Sequence, residues 1–440
     1  MDWKYIWKVI PSALYSPKLE SALPESWRSA LHADDTELLR RLEKDLGFSF
    51  QHLRTAASWL LDGRMWEEGS VGETLRQSLH ALEIVPEPIR NIPQSRDRIF
   101  AEAREVHALL TARPKRFAPI PEPEKLPTLR YEDKELKGRI FKLCPAASER
   151  AVCCNLQVLN VADNCAMACS YCVLQTHYEE PVVSLPTNLK EKLAEIRLNP
   201  ERRYRISTGE YSDSLLVGNR NNILGDLCDF ARENPNAVLE FKTKTANMGW
   251  MLANPIPPNV CCSWSLNPQL VIENEEHRTA SLAKRLDAAR AAADKGIRVG
   301  FHLHPMMWYE GWEQGYAELI GELIRRFDPG EVLWVSLGTV TLLKGFVQEF
   351  RGKYSHSKLL QMDLEESVDG KLTYPFAVRE ALYRNALSAL APWKDKVFQY
   401  MCMEHRPMWE AVMGFAYPSM GEFDVIFNKS VFEKIDLASV

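Results

Sequence analysis

Residues 156–172 read LQVLNVADNCAMACSYC, and this stretch decides the fold. Its apolar first half, LQVLNVAD at 156–163, predicts a buried strand. Three cysteines follow that strand directly, and Cys165, Cys169 and Cys172 have the spacing C-x3-C-x2-C. Thiolates so close in the chain are able to converge on one metal centre. The motif therefore predicts a metal site at the end of a strand.

The number of cysteines favours an iron–sulfur cluster over a zinc ion. Three thiolates bind three irons of a [4Fe–4S] cluster and leave the fourth iron open to a small molecule. A structural zinc ion needs a fourth ligand and usually takes pairs of C-x2-C motifs. The candidates for that fourth ligand are Cys144, Cys153, Cys154 and His177. Zinc and plain core thiols remain the two alternatives.

Strand-like runs alternate with helical stretches after about residue 150. Because this alternation is typical of a parallel sheet wrapped by helices, we expect an α/β fold, either a partial (β/α)6 barrel or an open sheet. Gly296 is expected to end one of the helices. The predicted strands are 156–163, 204–209, 237–244, 260–267, 298–305 and 331–338. The clearest predicted helices are 185–198, 221–234 and 277–296.

Several of these strands carry polar residues at every second position. Alternation places each polar set on one face of its strand. A fully packed barrel interior is apolar and branched, so a polar interior predicts a bound polar ligand. A solvated sheet face is the alternative. The residues concerned are Glu240, Lys242, Lys244, Ser263, Ser265, Asn267, His302 and His304.

The first 112 residues predict a helical bundle. Asp34 or Asp35 is a suitable N-cap for a leucine-rich helix, and Gly47 and Gly63 are candidate helix ends. Five prolines in 113–127 predict an extended linker. The tryptophans expected in the bundle core are Trp3, Trp7, Trp27, Trp59 and Trp66. The expected division of the chain is a helical domain (1–112), a linker (113–127), a lead-in segment (128–150), a barrel (151–345) and an α+β extension that closes it (346–440).

Composition limits the classes of partner. The net charge of -5 and the pI of about 6.1 do not indicate a generally basic nucleic-acid surface. No long uncharged apolar run predicts a membrane span or a secretory leader, so we expect a cytoplasmic protein without a membrane partner. Ten cysteines in such a chain do not indicate a disulfide framework.

Five strings between about residues 150 and 415 resemble the spore photoproduct lyase family of the radical S-adenosylmethionine superfamily. The resemblance implies a partial (β/α)6 barrel with a [4Fe–4S] cluster at its mouth. It also implies bound S-adenosylmethionine, a 5′-deoxyadenosyl radical that abstracts hydrogen, and an electron donor such as flavodoxin or ferredoxin. The strings are CAMACSYCVLQTHY (165–178), RISTGEYSDSL (205–215), LEFKTKT (239–245), the long run from SWSLN to HLHPM (263–306) and YEGWEQGY (309–316).

The resemblance also implies roles for single residues. Cys165, Cys169 and Cys172 match the cluster ligands. The matches for S-adenosylmethionine binding are Tyr171 near the adenine, Thr208, Gly209 and Glu210 at the methionine amino group, Lys244 at the carboxylate, and Ser265 and Asn267 near the ribose and carboxylate. The candidate catalytic groups are Glu210, His302, His304 and Cys402. For each residue outside the cysteine motif, a structural role at a strand end is the alternative.

Three departures from the family concern the substrate. Glu210 stands where the family has a hydrogen-donating cysteine, and Val173 replaces a tyrosine. The stretch 362–376, MDLEESVDGKLTYPF, is short and acidic where the family has a basic, aromatic hairpin, and Lys371 and Tyr374 are its remnants. The thiols that could replace the missing donor are Cys144, Cys153, Cys154, Cys261, Cys262 and Cys402.

Three functions are therefore compared below. The first is a radical S-adenosylmethionine lyase that acts on a pyrimidine-dimer lesion in DNA. The second is a relative of that enzyme with another substrate, such as a peptide or a small metabolite. The third is a zinc-stapled binding protein without catalysis.

Overall fold

The computed structural model describes residues 15–87, 91–117, 128–145, 147–172, 174, 182–354 and 356–436. Trp3, Trp7, Val173, His177 and most of the predicted linker lie outside these residues. Within them, no helix is long and apolar enough to cross a bilayer.

Helices α1–α16 are Pro17–Ala22, Glu25–Ala30, Ala33–Leu46, Phe50–Met65, Ser70–Ile84, Ile92–Thr111, Leu189–Ala194, Ile223–Glu233, Gly249–Ala253, Gln269–Glu275, Leu282–Asp294, Trp312–Arg326, Lys344–Lys353, Phe376–Ala389, Arg406–Met413 and Met420–Asp436. Strands β1–β13 are Arg130–Lys134, Phe141–Leu143, Gln157–Leu159, Val182–Pro186, Tyr204–Ser207, Ala237–Thr243, Val260–Ser265, Arg298–Met306, Val332–Thr339, Thr341–Leu342, Glu365–Glu366, Leu372–Thr373 and Phe398–Met401.

An eight-stranded sheet forms the centre of the larger compact unit, which comprises residues 119–341 and 365–440. Its strand order is β13-β9-β8-β7-β6-β5-β3-β2. All neighbouring pairs are parallel except β2 with β3, which is antiparallel. The sheet is curled into a half-barrel. The predicted α/β partial barrel is thus confirmed.

Six of the parallel strands are those predicted from the sequence, and β13 is an additional one. The helix α11 ends at Asp294, and Gly296 then adopts a left-handed φ of 86°, as predicted for the residue after a helix. Because the strands are parallel, the loops after their carboxyl ends lie on the same edge of the sheet. This edge carries the three cysteines of the motif.

The smaller compact unit contains the N-terminal helices α1–α6. Trp27, Trp59 and Trp66 are buried in it, as predicted. The predicted N-cap of α3 was wrong, because His32 occupies that position and Asp35 lies in the first turn. Buried Asp35 instead accepts hydrogen bonds from Arg64 at 2.5 Å and Arg76 at 2.8 Å. The carboxylate therefore ties three helices together.

Residues 342–364 also belong to the smaller unit, although the sequence analysis placed most of them in a C-terminal extension. Helix α13 packs against α2 and α4. The Trp27 indole donates to the carbonyl of Gln348 at 2.6 Å, and Arg351 donates to buried Asp62 at 2.6 Å. Lys358 donates to the carbonyl of Met65 at 2.6 Å. These contacts join segments far apart in the chain, so local sequence patterns do not reveal them.

The two glycines predicted to end helices behave differently. Gly47 caps α3 with a φ of 65°, as predicted. The prediction for Gly63 was wrong, because α4 continues through it to Met65. A Cβ at Gly63 would lie 2.5 Å from the carbonyl oxygen of Glu68. Glycine is thus needed there for a close approach of the backbone rather than for a turn.

Replacing Gly63 with alanine is expected to destabilise the N-terminal unit by about 1–3 kcal/mol, since the clash is with backbone. Gly69→Ala is the matched control, because a Cβ at Gly69 would meet nothing within 4 Å. Urea denaturation followed by tryptophan fluorescence measures both. Equal midpoints for the two variants would contradict this explanation.

Candidate active site

The cysteine loop lies directly after β3, at the carboxyl edge of the sheet. Cys169 is buried, and Cys165 and Cys172 are partly accessible. Two residues of the loop, Asn164 and Ala168, have left-handed φ angles of 72° and 50°. For an alanine this conformation costs roughly 1–2 kcal/mol, so the loop is held in place by its surroundings.

Those surroundings are the end of α10 and the segment after it. The amide of Ser170 donates to the carbonyl of Glu275 at 2.8 Å, and the amide of Arg278 donates to the carbonyl of Met167 at 3.1 Å. Within the loop, the amide of Cys172 donates to the carbonyl of Cys169 at 3.1 Å. These backbone bonds fold the motif back on itself and hold it against α10 and the segment after it.

The three thiols lie close enough to influence one another's ionisation. Burial raises the pKa of Cys165 to about 12, with further contributions from the charges of Asp213 and Cys172. Burial also raises the pKa of Cys169, which the Lys244 charge lowers and the neighbouring thiolates raise. Thiols whose pKa is raised in this way are stabilised as thiolates when they bind a cationic metal centre. This donor set fits an iron–sulfur cluster.

The described part of the chain contains no preformed site for a zinc ion. There, no three His, Cys, Asp or Glu side chains surround one point as a bound ion requires. A zinc ion needs four ligands around one point. A [4Fe–4S] cluster instead spreads its cysteine ligands over separate iron atoms. His177, one of the possible zinc ligands, lies outside the described residues.

Glu276 is the buried centre of a hydrogen-bond network beside the cysteine loop. It accepts from the Tyr171 hydroxyl at 2.5 Å, from the Asn267 amide at 3.1 Å and from Arg285 at 2.6 Å. The Lys244 ammonium lies 3.5 Å from the same carboxylate. Burial raises the pKa of Glu276, but the charges of Lys244 and Arg285 and the hydrogen bonds outweigh it and hold the pKa at about 2. Glu276 thus fixes Tyr171 and Lys244 next to the loop.

This network gives Asn267 a structural role in addition to its predicted one. Its side chain is fully buried, and its carbonyl oxygen accepts from the Tyr316 hydroxyl at 2.9 Å. Both ends of the amide are therefore engaged within the protein. Ser265 is nearby, and its backbone carbonyl accepts from Arg285 at 2.8 Å. Sequence reasoning missed Glu276, because its partners come from distant segments of the chain.

The residues predicted to hold the methionine amino group follow β5. Glu210 forms an ion pair with Lys242 of the next strand, β6. A Cβ at Gly209 would lie 2.7 Å from the Cβ of Lys242, so only glycine allows this approach. The Thr208 hydroxyl donates to Ser214 at 2.8 Å. The loop is therefore packed tightly against β6, and a ligand ammonium at Glu210 has to share the carboxylate with Lys242.

Asp213 ties this loop to the end of β6. It accepts from the Thr243 hydroxyl at 2.8 Å and from the backbone amide of Lys244 at 2.7 Å. Burial raises the pKa of Asp213, and the hydrogen bonds from Lys244 and Thr243 oppose that shift. The carboxylate lies close enough to Cys165 to raise the pKa of that thiol. Asp213 therefore links two strand ends to the cysteine loop.

The predicted polar faces of the strands meet in one interior. His302 Nε2 lies 2.7 Å from Glu240 Oε1, and Ser263 donates to the same carboxylate. His304 Nε2 lies 2.8 Å from the hydroxyl of Ser336. Burial and the charges of His302, Lys242 and Lys244 hold the pKa of His304 well below its usual value, so its ring is neutral at pH 7. Both histidines thus have partners within the sheet.

Glu240 and Glu276 make the stability of the folded protein depend on pH in the acid range. Burial raises the pKa of Glu240, but the charges of His302 and Lys242 and the hydrogen bonds outweigh it and hold the pKa at about 2, as at Glu276. Because each folded-state pKa is depressed from 4.5, the stabilisation is complete above pH 4.5 and is lost as the pH falls towards 2. We expect a loss of about 2 kcal/mol per carboxylate between pH 6 and pH 3. Urea denaturation across this range measures the free energy of unfolding. Glu240→Gln should make that free energy depend less on pH, and an unchanged pH dependence would contradict the assignment.

Four of the six thiols considered as replacement hydrogen donors lie near one another. Cys402 follows β13, and its pKa is raised by burial and by Cys154, Cys144 and Glu210 around it. Cys261 and Cys262 lie in β7 and are fully buried. The fold thus brings together Cys144, Cys153, Cys154 and Cys402.

Comparison with known proteins assigns the half-barrel to a family. A family model described as spore photoproduct lyase matches residues 152–367. The chain is a spore photoproduct lyase-like member of the radical S-adenosylmethionine superfamily. Every predicted site residue except Cys402 lies within the matched stretch.

Individual relatives agree with this assignment. The spore photoproduct lyase of Clostridium acetobutylicum is 30% identical over 167 residues, which are 37% of this chain and 50% of that protein. The one from Bacillus subtilis is 28% identical over 167 residues, covering 37% of this chain and 49% of that protein. This spore photoproduct lyase-like chain therefore spans about half the length of the curated relatives it matches.

Solved structures confirm the fold. A spore photoproduct lyase complexed with dinucleoside spore photoproduct superposes with a TM-score of 0.51 at 23% identity, covering 56% of this chain and 76% of that one. A cysteine variant of spore photoproduct lyase gives a TM-score of 0.53 at 23% identity, covering 62% and 82%. At this level of identity the comparison shows a shared half-barrel.

The hairpin that differs from the family is as short as the sequence suggests. Strands β11 and β12 pair antiparallel over two residues each, and Glu365 and Glu366 are exposed. Tyr374 is fully buried, so its ring is not available to stack on a base. Lys371 lies 3.4 Å from Asp369. The two predicted remnants of a DNA-binding hairpin are therefore engaged within the protein.

Proposed function

We propose that this chain is a radical S-adenosylmethionine enzyme with a [4Fe–4S] cluster on Cys165, Cys169 and Cys172. The observation that supports the proposal is that Cys165, Cys169 and Cys172 lie close enough to act on one another's ionisation, next to the Lys244 charge. When bound, the cluster and S-adenosylmethionine together supply a 5′-deoxyadenosyl radical that abstracts hydrogen from a substrate. An electron donor such as flavodoxin or ferredoxin belongs to the proposal.

The protein's part is to hold and orient the cofactor. Lys244 presents an ammonium 5.5 Å from the centre of the Tyr171 ring, and Glu276 restrains both side chains. A cation at this place suits the carboxylate of S-adenosylmethionine, and Glu210 suits its ammonium. Thr208, Gly209, Ser265 and Asn267 complete the proposed binding residues.

The interior beyond these residues shields reactive species. Glu240, His302 and Ser263 are buried and bonded to one another, and neutral His304 adds no charge. Cys402, at the end of β13, is proposed as a hydrogen source for the product. Its thiol stays protonated because burial raises its pKa, and a protonated thiol is the form that can give up a hydrogen atom.

Replacing Lys244 with methionine tests the cofactor site. Losing one charge-assisted contact is expected to weaken S-adenosylmethionine binding about 10–100-fold, with a similar rise in KM. Lys284→Met is the control, since Lys284 is exposed on α11. Binding is measured anaerobically by equilibrium dialysis on cluster-loaded protein. Equal affinity of the two variants would remove Lys244 from the site.

The first proposed substrate is a dinucleoside lesion in DNA, because a solved relative is complexed with dinucleoside spore photoproduct. The second is a peptide or small metabolite. The short acidic hairpin with buried Tyr374 favours the second, since lesion recognition in duplex DNA requires side chains that unstack bases.

Binding and turnover distinguish the two substrates. A DNA lyase should bind lesion-containing DNA saturably, with affinity that falls as salt rises, and should convert dinucleoside spore photoproduct to two thymidines. Undamaged DNA of the same sequence is the control. Absence of lesion-specific binding and turnover in protein that still forms 5′-deoxyadenosine would select the second substrate class.

A further inference from the structure

The two edges of the curled sheet are in contact with each other. One edge contributes the connection between β2 and β3, and the other contributes the residues that follow β13. The amide of Val152 donates to the carbonyl of Glu404 at 2.8 Å, and His405 Nδ1 lies 2.9 Å from the carbonyl of Arg150. Glu404 is buried and is held by Arg379 and by the Tyr383 hydroxyl, the latter at 3.0 Å. We call this junction the seam.

Four thiols lie at the seam. The first edge supplies Cys144, Cys153 and Cys154, and the second supplies Cys402. The Cys154 thiol donates a hydrogen bond to Cys153, and Cys402 lies within electrostatic reach of Cys153, Cys154 and Cys144. Cys153 and Cys402 are both partly accessible, whereas Cys154 is buried. Cys153 is thus the thiol at the seam that a small solute meets first, since burial dominates the environment of the Cys402 thiol.

Cys153 is chemically distinct from its neighbours. The hydrogen bond from Cys154 lowers the pKa of Cys153 more than burial raises it, whereas burial raises the pKa of Cys402. The thiolate is the attacking species in thiol–disulfide exchange. Cys153 is therefore suited to attack a disulfide first. A neighbouring thiol is then suited to displace the mixed disulfide that forms on Cys153.

The resolving thiol comes from the opposite edge. Adjacent residues have Cα atoms about 3.8 Å apart, whereas disulfides usually span about 4.4–6.8 Å between Cα atoms, so Cys153 and Cys154 are poorly placed to pair. Cys402 acts on the ionisation of Cys153 more strongly than Cys144 does, although the larger effects on Cys402 itself come from Cys154 and Cys144. The backbone hydrogen bond from Val152 to Glu404 holds the two segments together. Val152 is one residue from Cys153, and Glu404 is two residues from Cys402.

We propose that Cys153 and Cys402 form a redox-active dithiol that reacts with low-molecular-weight disulfides and, when oxidised, links the two edges of the half-barrel. The Cys153 thiolate attacks one sulfur of the small disulfide, forms a mixed disulfide and releases one small thiolate. The Cys402 thiol loses its proton to that thiolate and attacks the Cys153 sulfur, which releases the second small thiolate. The protein loses two electrons, and the small disulfide is reduced to two thiols.

The proposal is independent of radical chemistry and is tested without S-adenosylmethionine or a reductant. The full chain is exposed anaerobically to oxidised glutathione, and remaining thiols are blocked with N-ethylmaleimide. Digestion with trypsin and a protease that cleaves before aspartate separates Cys153 (residues 151–162) from the cluster cysteines (163–190) and from Cys402 (397–423). Mass spectrometry then identifies the linked peptides.

We expect a dithiothreitol-sensitive link between the peptides of Cys153 and Cys402. It should persist in Cys154→Ala and in Cys228→Ser, a buried control thiol in α8. Cys402→Ser should accumulate glutathione on Cys153 at least tenfold above the unsubstituted protein, which shows that the variant is folded and reactive. A link from Cys153 to Cys144 instead, or no glutathione on Cys153 in Cys402→Ser, would overturn the proposal.

Discussion

Replacing Cys169 with alanine is expected to remove the iron–sulfur cluster and at least 99% of 5′-deoxyadenosine formation. The reason is that the proposed site has three cysteine ligands and no fourth cysteine among the described residues of the loop, and a site with two thiolates does not retain a cluster. Cys169 is also the most buried of the three, so no solvent ligand replaces it easily. Iron and sulfide analysis and the visible absorption of anaerobically reconstituted protein measure the loss.

Cys228→Ala is the matched control for that experiment. Cys228 is a buried thiol whose pKa burial raises to about 11, and it lies on α8 away from the cysteine loop. The control should bind iron and sulfide as the unsubstituted chain does. If Cys169→Ala retained full iron content and absorption, the assignment of the cluster to this loop would be wrong.

The second large effect is expected at Glu276. Glu276→Gln should destabilise the half-barrel by about 3–5 kcal/mol, because it leaves the fully buried Arg285 without its carboxylate partner. It should also free Lys244 and Tyr171, the two residues proposed to contact S-adenosylmethionine. Urea denaturation followed by circular dichroism measures the stability.

Glu273→Gln is the control for this substitution. Glu273 lies on the same helix as Glu275 but is exposed, and its partner is the side-chain amide of Gln269 at 2.9 Å. Its effect should stay within about 0.5 kcal/mol. A Glu276 variant as stable as the Glu273 variant would show that the buried network contributes little, and its role in positioning Lys244 would then have no support.

The sequence was informative where local periodicity carries the signal. The six inner strands were predicted as apolar runs between helical stretches, and polar alternation within three of them placed Glu240, Lys242 and His302 on one face. Gly47 and Gly296 were predicted because a left-handed residue after a helix is a local requirement. The metal site indicated by the cysteine spacing stays a prediction.

Contacts between distant segments were not predictable in this way. Glu276 has its partners on the cysteine loop and at the ends of β6 and β7, and no short motif marks it. Gly63 has the local signature of a helix end, but a tertiary contact with Glu68 explains it. Cys402 and Cys153 come together only because the sheet curls. The assignment of α13 to the N-terminal unit depends likewise on packing rather than on pattern.

The most direct test of the proposed chemistry is the amount of 5′-deoxyadenosine formed by anaerobically reconstituted protein with S-adenosylmethionine and dithionite. We predict that the unsubstituted chain and Cys228→Ala form it, and that Cys169→Ala does not. Protein that is fully loaded with iron and sulfide and binds S-adenosylmethionine, but forms no 5′-deoxyadenosine with or without dinucleoside spore photoproduct, would contradict the account.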